Sequence, residues 1–88
     1  MHDNHRERIK ARFLAEGLDS FEEHNKLELL LFYVIPRKDT NETAHRLIEK
    51  FGSLTGVFDA NIEELETVEG IGRNAAIYLK LMPQIARA

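Results

Sequence analysis

Val68-Glu69-Gly70-Ile71-Gly72-Arg73-Asn74-Ala75 sets one apolar residue between two glycines, with helix-forming sequence on either side. A turn this tight between helices needs positive φ angles or close backbone approach, and glycine supplies both. Ile71 is placed to point inward and pin the turn. Upstream, Asn61 with Glu64 reads as a capping box opening a short helix that buries Ile62, Leu65 and Val68. Downstream, a helix from Arg73 turns Ala75, Ala76, Leu79 and Met82 inward, and Pro83 within that pattern predicts a kink or an early end. The whole reads as a helix–hairpin–helix. The first N–H groups of its second helix have no internal partners and sit at the positive end of the helix dipole, where they can hold a phosphate oxygen. The expected DNA-binding residues are therefore Gly70, Ile71, Gly72 and Arg73, with Lys80 farther along adding a charge-assisted contact. Such contacts grip backbone rather than base, so no sequence preference is expected.

The rest of the chain is also read as helical. A first helix starts at Asn4 with Glu7 as box partner, carries Ile9, Phe13 and Leu14, and stops at Gly17. Ser20 with Glu23 reads as a second capping box. The helix after it bears Leu27, Leu30, Leu31 and Val34 on one side and Leu29 and Phe32 beside them, so it should be central. Residues 29–35 could instead form a buried strand. No second strand-like run exists to pair with it, and a lone strand leaves its backbone groups unpaired. Pro36 is expected to end this helix. Arg37-Lys38-Asp39-Thr40 makes the turn, and a helix from Asp39 or Asn41 presents Ala44, Leu47, Ile48 and Phe51 before Gly52 caps it. A helical turn over Leu54–Phe58 leads to Asn61.

Ala44, Leu47, Ile48 and Phe51 align at constant offset with Ala75, Tyr78, Leu79 and Met82. Each set follows a turn, and each turn follows an apolar helix. The expectation is an all-α fold, a compact bundle of about five short helices forming a tandem helix–hairpin–helix in one domain, 1–88. The first, degenerate unit covers about 21–52 and the second about 61–82. Arg37 and Lys38 at the tip of the first unit are candidates for a second backbone contact.

Composition narrows the functional classes. A chain of 88 residues builds one modest core without metal or disulfide staples. It has no cysteine, which excludes disulfides, thiol catalysis and Cys-based zinc sites. No signal-peptide core opens the sequence, and the longest apolar run is far too short to span a bilayer, so a cytoplasmic protein with no membrane partner is expected. The formal net charge is −3, but it is segregated. Arg6, Arg8, Lys10 and Arg12 crowd the first helix, spaced around it as a solvated face would be. Acids dominate residues 59–69, whereas Gly70 to Ala88 carries Arg73, Lys80 and Arg87 and no acid. DNA affinity should accordingly be modest and salt-sensitive. His2, His5, His24 and His45 stand apart without ligand spacing, so no metal is expected. Ser20 and Ser53 occupy cap positions, which accounts for both without nucleophilic chemistry. No cofactor and no enzymatic activity are expected of the chain.

His5-Arg6-Glu7-Arg8, Arg12-Phe13-Leu14, Leu27 through Tyr33, Ile35-Pro36-Arg37-Lys38-Asp39-Thr40-Asn41, Ala44-His45-Arg46-Leu47 and Phe51-Gly52-Ser53-Leu54, followed by the glycine hairpin, resemble the N-terminal domain of RadC-like proteins. Ile-Pro-Arg-Lys-Asp is the most specific of these segments. The resemblance implies an all-helical helix–hairpin–helix domain preceding a metalloprotease-like domain with a His-x-His zinc motif and a later Ser and Asp. Nothing in this chain matches that motif, so no catalytic residue is carried over, and an isolated N-terminal domain or a natural short form is expected. The family takes its name from DNA repair. Expected partners are DNA, the metalloprotease-like domain, or a second copy of the chain. The competing reading is a protein-interaction or dimerisation domain, for which Tyr33, Phe58 and Tyr78 are the aromatics to inspect.

Overall fold

The apolar run that begins at Leu27 becomes the centre of the molecule. In the computed structural model, which describes residues 2–36 and 39–88 with side chains from Asn4 onward, six helices are formed and no strand: α1 His2–Glu16, α2 Glu23–Leu31, α3 Thr40–Phe51, α4 Leu54–Asp59, α5 Ile62–Glu66 and α6 Arg73–Arg87. α2 packs against α1, α3 and α4, and α6 closes the core against α4 and α5. Leu27, Leu31, Leu47, Val57, Leu65, Ala76 and Leu79 are wholly buried in one cluster. Burying a side chain of this size contributes roughly 1.5–3 kcal/mol, so this cluster holds the hairpin in place.

Local chemistry explains most helix ends. Asp39 accepts from the Asn41 amide to start α3, and Ser53 accepts from Gly56 to start α4. Asn61 and Glu64 form the reciprocal capping box of α5. Gly52, at φ 89°, turns the chain out of α3. The connector of residues 54–58 is a full helix reaching Asp59, which makes six elements rather than about five.

Four expectations are corrected. α1 begins two residues before Asn4. Ser20 does not cap α2: its hydroxyl donates to Glu16 Oε1 at 2.7 Å, and α2 begins at Glu23 with no side-chain cap. Pro83 does not shorten α6, which runs on to Arg87. α2 ends at Leu31, well before Pro36.

That last difference has a tertiary cause. After Leu31 the chain tightens, with Val34 and Ile35 N–H both donating to the Leu31 carbonyl, at 3.1 and 2.8 Å. Arg6 of α1 donates to the carbonyls of Phe32 (3.2 Å) and Ile35 (2.7 Å), and its guanidinium lies 4.6 Å from the centre of the Phe32 ring. A cation at a helix C-terminus supplies donors where carbonyls lack them. Arg12, nearly two turns further along α1, donates to Ser20 O at 2.6 Å and covers Phe21 in the loop before α2. These two arginines clamp α1 onto the segments that flank α2 at either end instead of forming a solvated face. Arg6→Ala is expected to lower stability by about 1–2 kcal/mol, since hydrogen bonds from charged donors are lost at a half-buried site. Urea denaturation measures it, and an unchanged midpoint would show that α1 docks without the clamp.

Candidate nucleic-acid interface

Between α5 and α6 the chain reverses over six residues, 67–72. Val68 and Ile71 both drop into the core, 6% and 5% exposed, and the Ile71 N–H donates to the Val68 carbonyl at 3.0 Å. Gly70 lies between them at φ 98°, where an L side chain is strained. A Cβ there would also meet Thr43 Oγ1 at 2.7 Å, and Thr43 is itself buried. Two independent demands thus require glycine at this position. Gly72 differs. Its backbone is extended (φ −91°, ψ −172°), and a Cβ would find no neighbour within 4 Å.

Gly72 is the N-cap of α6 and has no side chain to fill that role. The first intrahelical bond runs from the Ala76 N–H to the Gly72 carbonyl at 3.0 Å, so the N–H groups of the first turn precede the helical ladder. Gly72, Arg73 and Asn74 are all exposed at this end. An anion approaching it meets donors, the positive end of a 15-residue helix, and no steric cover.

Acidic groups stand close by. Arg73 Nη1 is 3.5 Å from Glu66 Oε1, with the arginine side chain 67% exposed. Arg46 of α3 reaches Glu42 at 3.2 Å and Glu69 at 4.0 Å. The hairpin is therefore flanked by cations that already share their charge with carboxylates.

The expected residues separate into three groups. Gly70, Ile71, Gly72 and Arg73 are gathered at the hairpin. Lys80 is held elsewhere: its ammonium donates to the Phe58 carbonyl at 2.8 Å, tying α6 to α4. Arg37 and Lys38 lie outside the described residues. The neighbouring Val34, Ile35 and Pro36 nevertheless share a groove of about 330 Å³ with Gly70, Gly72, Asn74 and Ala75. The segment that leaves α2 and the glycine turn before α6 thus face one another. Sequence reasoning missed Asn74 and Arg46. Asn74 was legible as an exposed amide on the first turn after the glycines, whereas Arg46 reaches the hairpin only through tertiary packing.

The histidines are less solitary than their spacing suggests. His24 and His45 stack across α2 and α3 with ring centroids 4.1 Å apart. His5 Nε2 donates to Glu28 Oε2 at 2.7 Å, and Asn41 Nδ2 donates to the other oxygen at 3.3 Å, which satisfies a carboxylate with no exposure. Among the described residues no group of three or more His, Cys, Asp or Glu side chains could hold a metal ion, and no helix is long and apolar enough to cross a membrane.

Comparison with known proteins places this geometry among relatives. No family model and no solved structure matches the chain. It is 48% identical over 81 residues to a UPF0758 protein of Fusobacterium nucleatum subsp. nucleatum, covering 92% of this chain and 35% of that one. It is 35% identical over 79 residues to a UPF0758 protein of Ruegeria pomeroyi, covering 90% of this chain and 35% of the relative. The chain spans about a third of the length of these curated relatives. Across nine-tenths of its own length the chain is therefore similar to about a third of each of these two UPF0758 proteins, the group to which the RadC-like resemblance pointed.

Proposed function

We propose that α5, the Val68–Gly72 turn and α6 form a helix–hairpin–helix that holds the phosphate backbone of DNA without sequence preference. The chain is a non-enzymatic binding module of a RadC-like, DNA-repair-associated protein. The observation that carries this reading is the N-terminus of α6, which is exposed, has no side-chain cap and follows a glycine with open space around it. Arg73 supports it with an exposed cation beside those amides, and the acid-free stretch from Gly70 to Ala88 keeps negative charge off α6 itself. Contact with few phosphates, tempered by Glu66 and Glu69, implies a Kd of roughly 10⁻⁴–10⁻⁶ M at physiological salt.

Fluorescence titration of labelled duplex, branched and single-stranded DNA at several salt concentrations tests this. Two or three phosphates held should give a log–log salt slope of about −2 to −3. Arg73→Glu is expected to weaken binding about tenfold while leaving the fold intact, because the side chain is exposed and makes only a loose ion pair. A folded wild-type chain that binds none of the three DNAs in a salt-dependent way would end the proposal.

A further inference from the structure

A larger groove than the one at the hairpin lies away from that loop. Phe13 and Leu14 from the end of α1, Leu18 just after it, Leu29 and Leu30 from α2, and Tyr33 and Tyr78 line a trough of about 460 Å³. Leu14 is 83% exposed, Tyr33 66%, and Phe13 and Leu18 41% each. Four large apolar side chains open to solvent around one trough form a contiguous patch of the kind that marks an interaction site. Its charge is one-signed. Lys10 and Lys26 line the groove and no carboxylate does. Lys10 shares its charge with Glu7 at 3.4 Å, whereas Lys26 makes no ion pair among the described residues. Tyr33 and Tyr78 add two hydroxyls. Burial, then the neighbouring Tyr33, raises the Tyr78 pKa above its ordinary value, so this hydroxyl remains a neutral donor well beyond physiological pH.

Charge decides among occupants. A second copy meeting face to face would set Lys10 and Lys26 against themselves. A second copy offering its other exposed apolar ridge, Ile77, Leu81 and Ile85 on α6, would bring no carboxylate from that helix to meet the two lysines. Neither arrangement supplies the carboxylates that Lys10 and Lys26 call for. We infer that the α1–α2–Tyr78 groove docks an amphipathic helix of a different protein segment, one that inserts apolar residues at helical spacing and flanks them with glutamates or aspartates facing Lys10 and Lys26. This inference does not rest on the phosphate-binding reading, since no DNA contact is invoked.

The test uses the full chain, no DNA, and two labelled helical peptides. Both carry leucines at i, i+3, i+4 and i+7, one with glutamates and the other with lysines between them. The acidic peptide is expected to bind saturably, with amide NMR shifts concentrated at Leu14, Leu18, Tyr33 and Tyr78, and about tenfold more tightly than the basic one. Lys26→Glu should weaken the acidic peptide about three- to tenfold and strengthen the basic one, while Leu14→Asp should weaken both. Leu14 is exposed and Lys26 is half-buried at the groove, so replacement of either is expected to leave the fold intact, and the amide spectrum of each variant checks this. Equal affinity for the two peptides, shifts elsewhere on the chain, or no saturation by about 1 mM would overturn the inference. So would a wild-type dimer in light scattering that Leu14→Asp dissociates, because the occupant would then be a second copy.

Discussion

Gly70→Ala should unfold the chain at markedly lower denaturant, with a loss of about 3–4 kcal/mol. Two costs combine. An alanine held at φ 98° is strained by roughly 1–2 kcal/mol, and its Cβ would press on Thr43 Oγ1 at 2.7 Å and Thr43 Cγ2 at 3.3 Å. Thr43 belongs to α3 and is buried, so it has little room to move. The double variant Gly70→Ala/Thr43→Ala separates the terms. Removing Oγ1 and Cγ2 leaves the Thr43 Cβ, at 3.6 Å, as an ordinary contact, so a large part of the steric cost should return while the φ cost stays. A double-mutant cycle in urea then reads the coupling as about 1–2 kcal/mol in favour of the pair. Purely additive losses would show that α3 does not press on the hairpin as described. Gly70 is for the same reason a poor position at which to test DNA binding, since substitutions there damage the hairpin itself.

Much of the fold was legible because its signals are local. A capping box needs only Asn61 and Glu64 three residues apart, and Asp39, Ser53 and Gly52 act within one turn of their own positions. The core followed from the same kind of periodicity, since Leu47, Leu65, Ala76 and Leu79 fall on the buried faces their spacing implies. What escaped involves partners far apart in sequence. Ser20 is the local exception, since it looked like a cap but found Glu16 only four residues upstream. Pro36 looked like the end of α2, yet Arg6 satisfies the Phe32 and Ile35 carbonyls and lets the helix stop earlier. Lys80 falls on a plausible stripe of α6, and only packing shows that α4 holds its ammonium. The basic residues of α1 read as a surface feature because no local pattern reveals that Phe32 and Phe21 lie beneath two of them. At the candidate site, sequence located the hairpin, whereas the carboxylates of Glu66 and Glu69 that temper it emerged as partners only in three dimensions.

Gly72→Asp is the sharper test of the phosphate site, because stability and binding should move in opposite directions. Gly72 already has the extended backbone of an N-cap, and the added side chain meets nothing within 4 Å. An aspartate there can accept from the open amides of α6 and lies at the positive end of its dipole, so stability should rise by about 0.5 kcal/mol. The same carboxylate would occupy the place of a phosphate oxygen and repel its neighbours, so DNA affinity should fall at least about tenfold. A change that strengthens the helix while abolishing binding cannot be explained by damage to the fold. The converse variant, Glu66→Gln/Glu69→Gln, releases Arg73 and Arg46 from their carboxylates. Affinity is then expected to rise about three- to tenfold at low salt, with the gain fading as ionic strength shortens the screening length. Thermal melts and DNA titrations on the same samples read both quantities. If Gly72→Asp binds DNA as the wild type does, the amides of α6 are not the phosphate site, and the glycine there answers to something other than an anion.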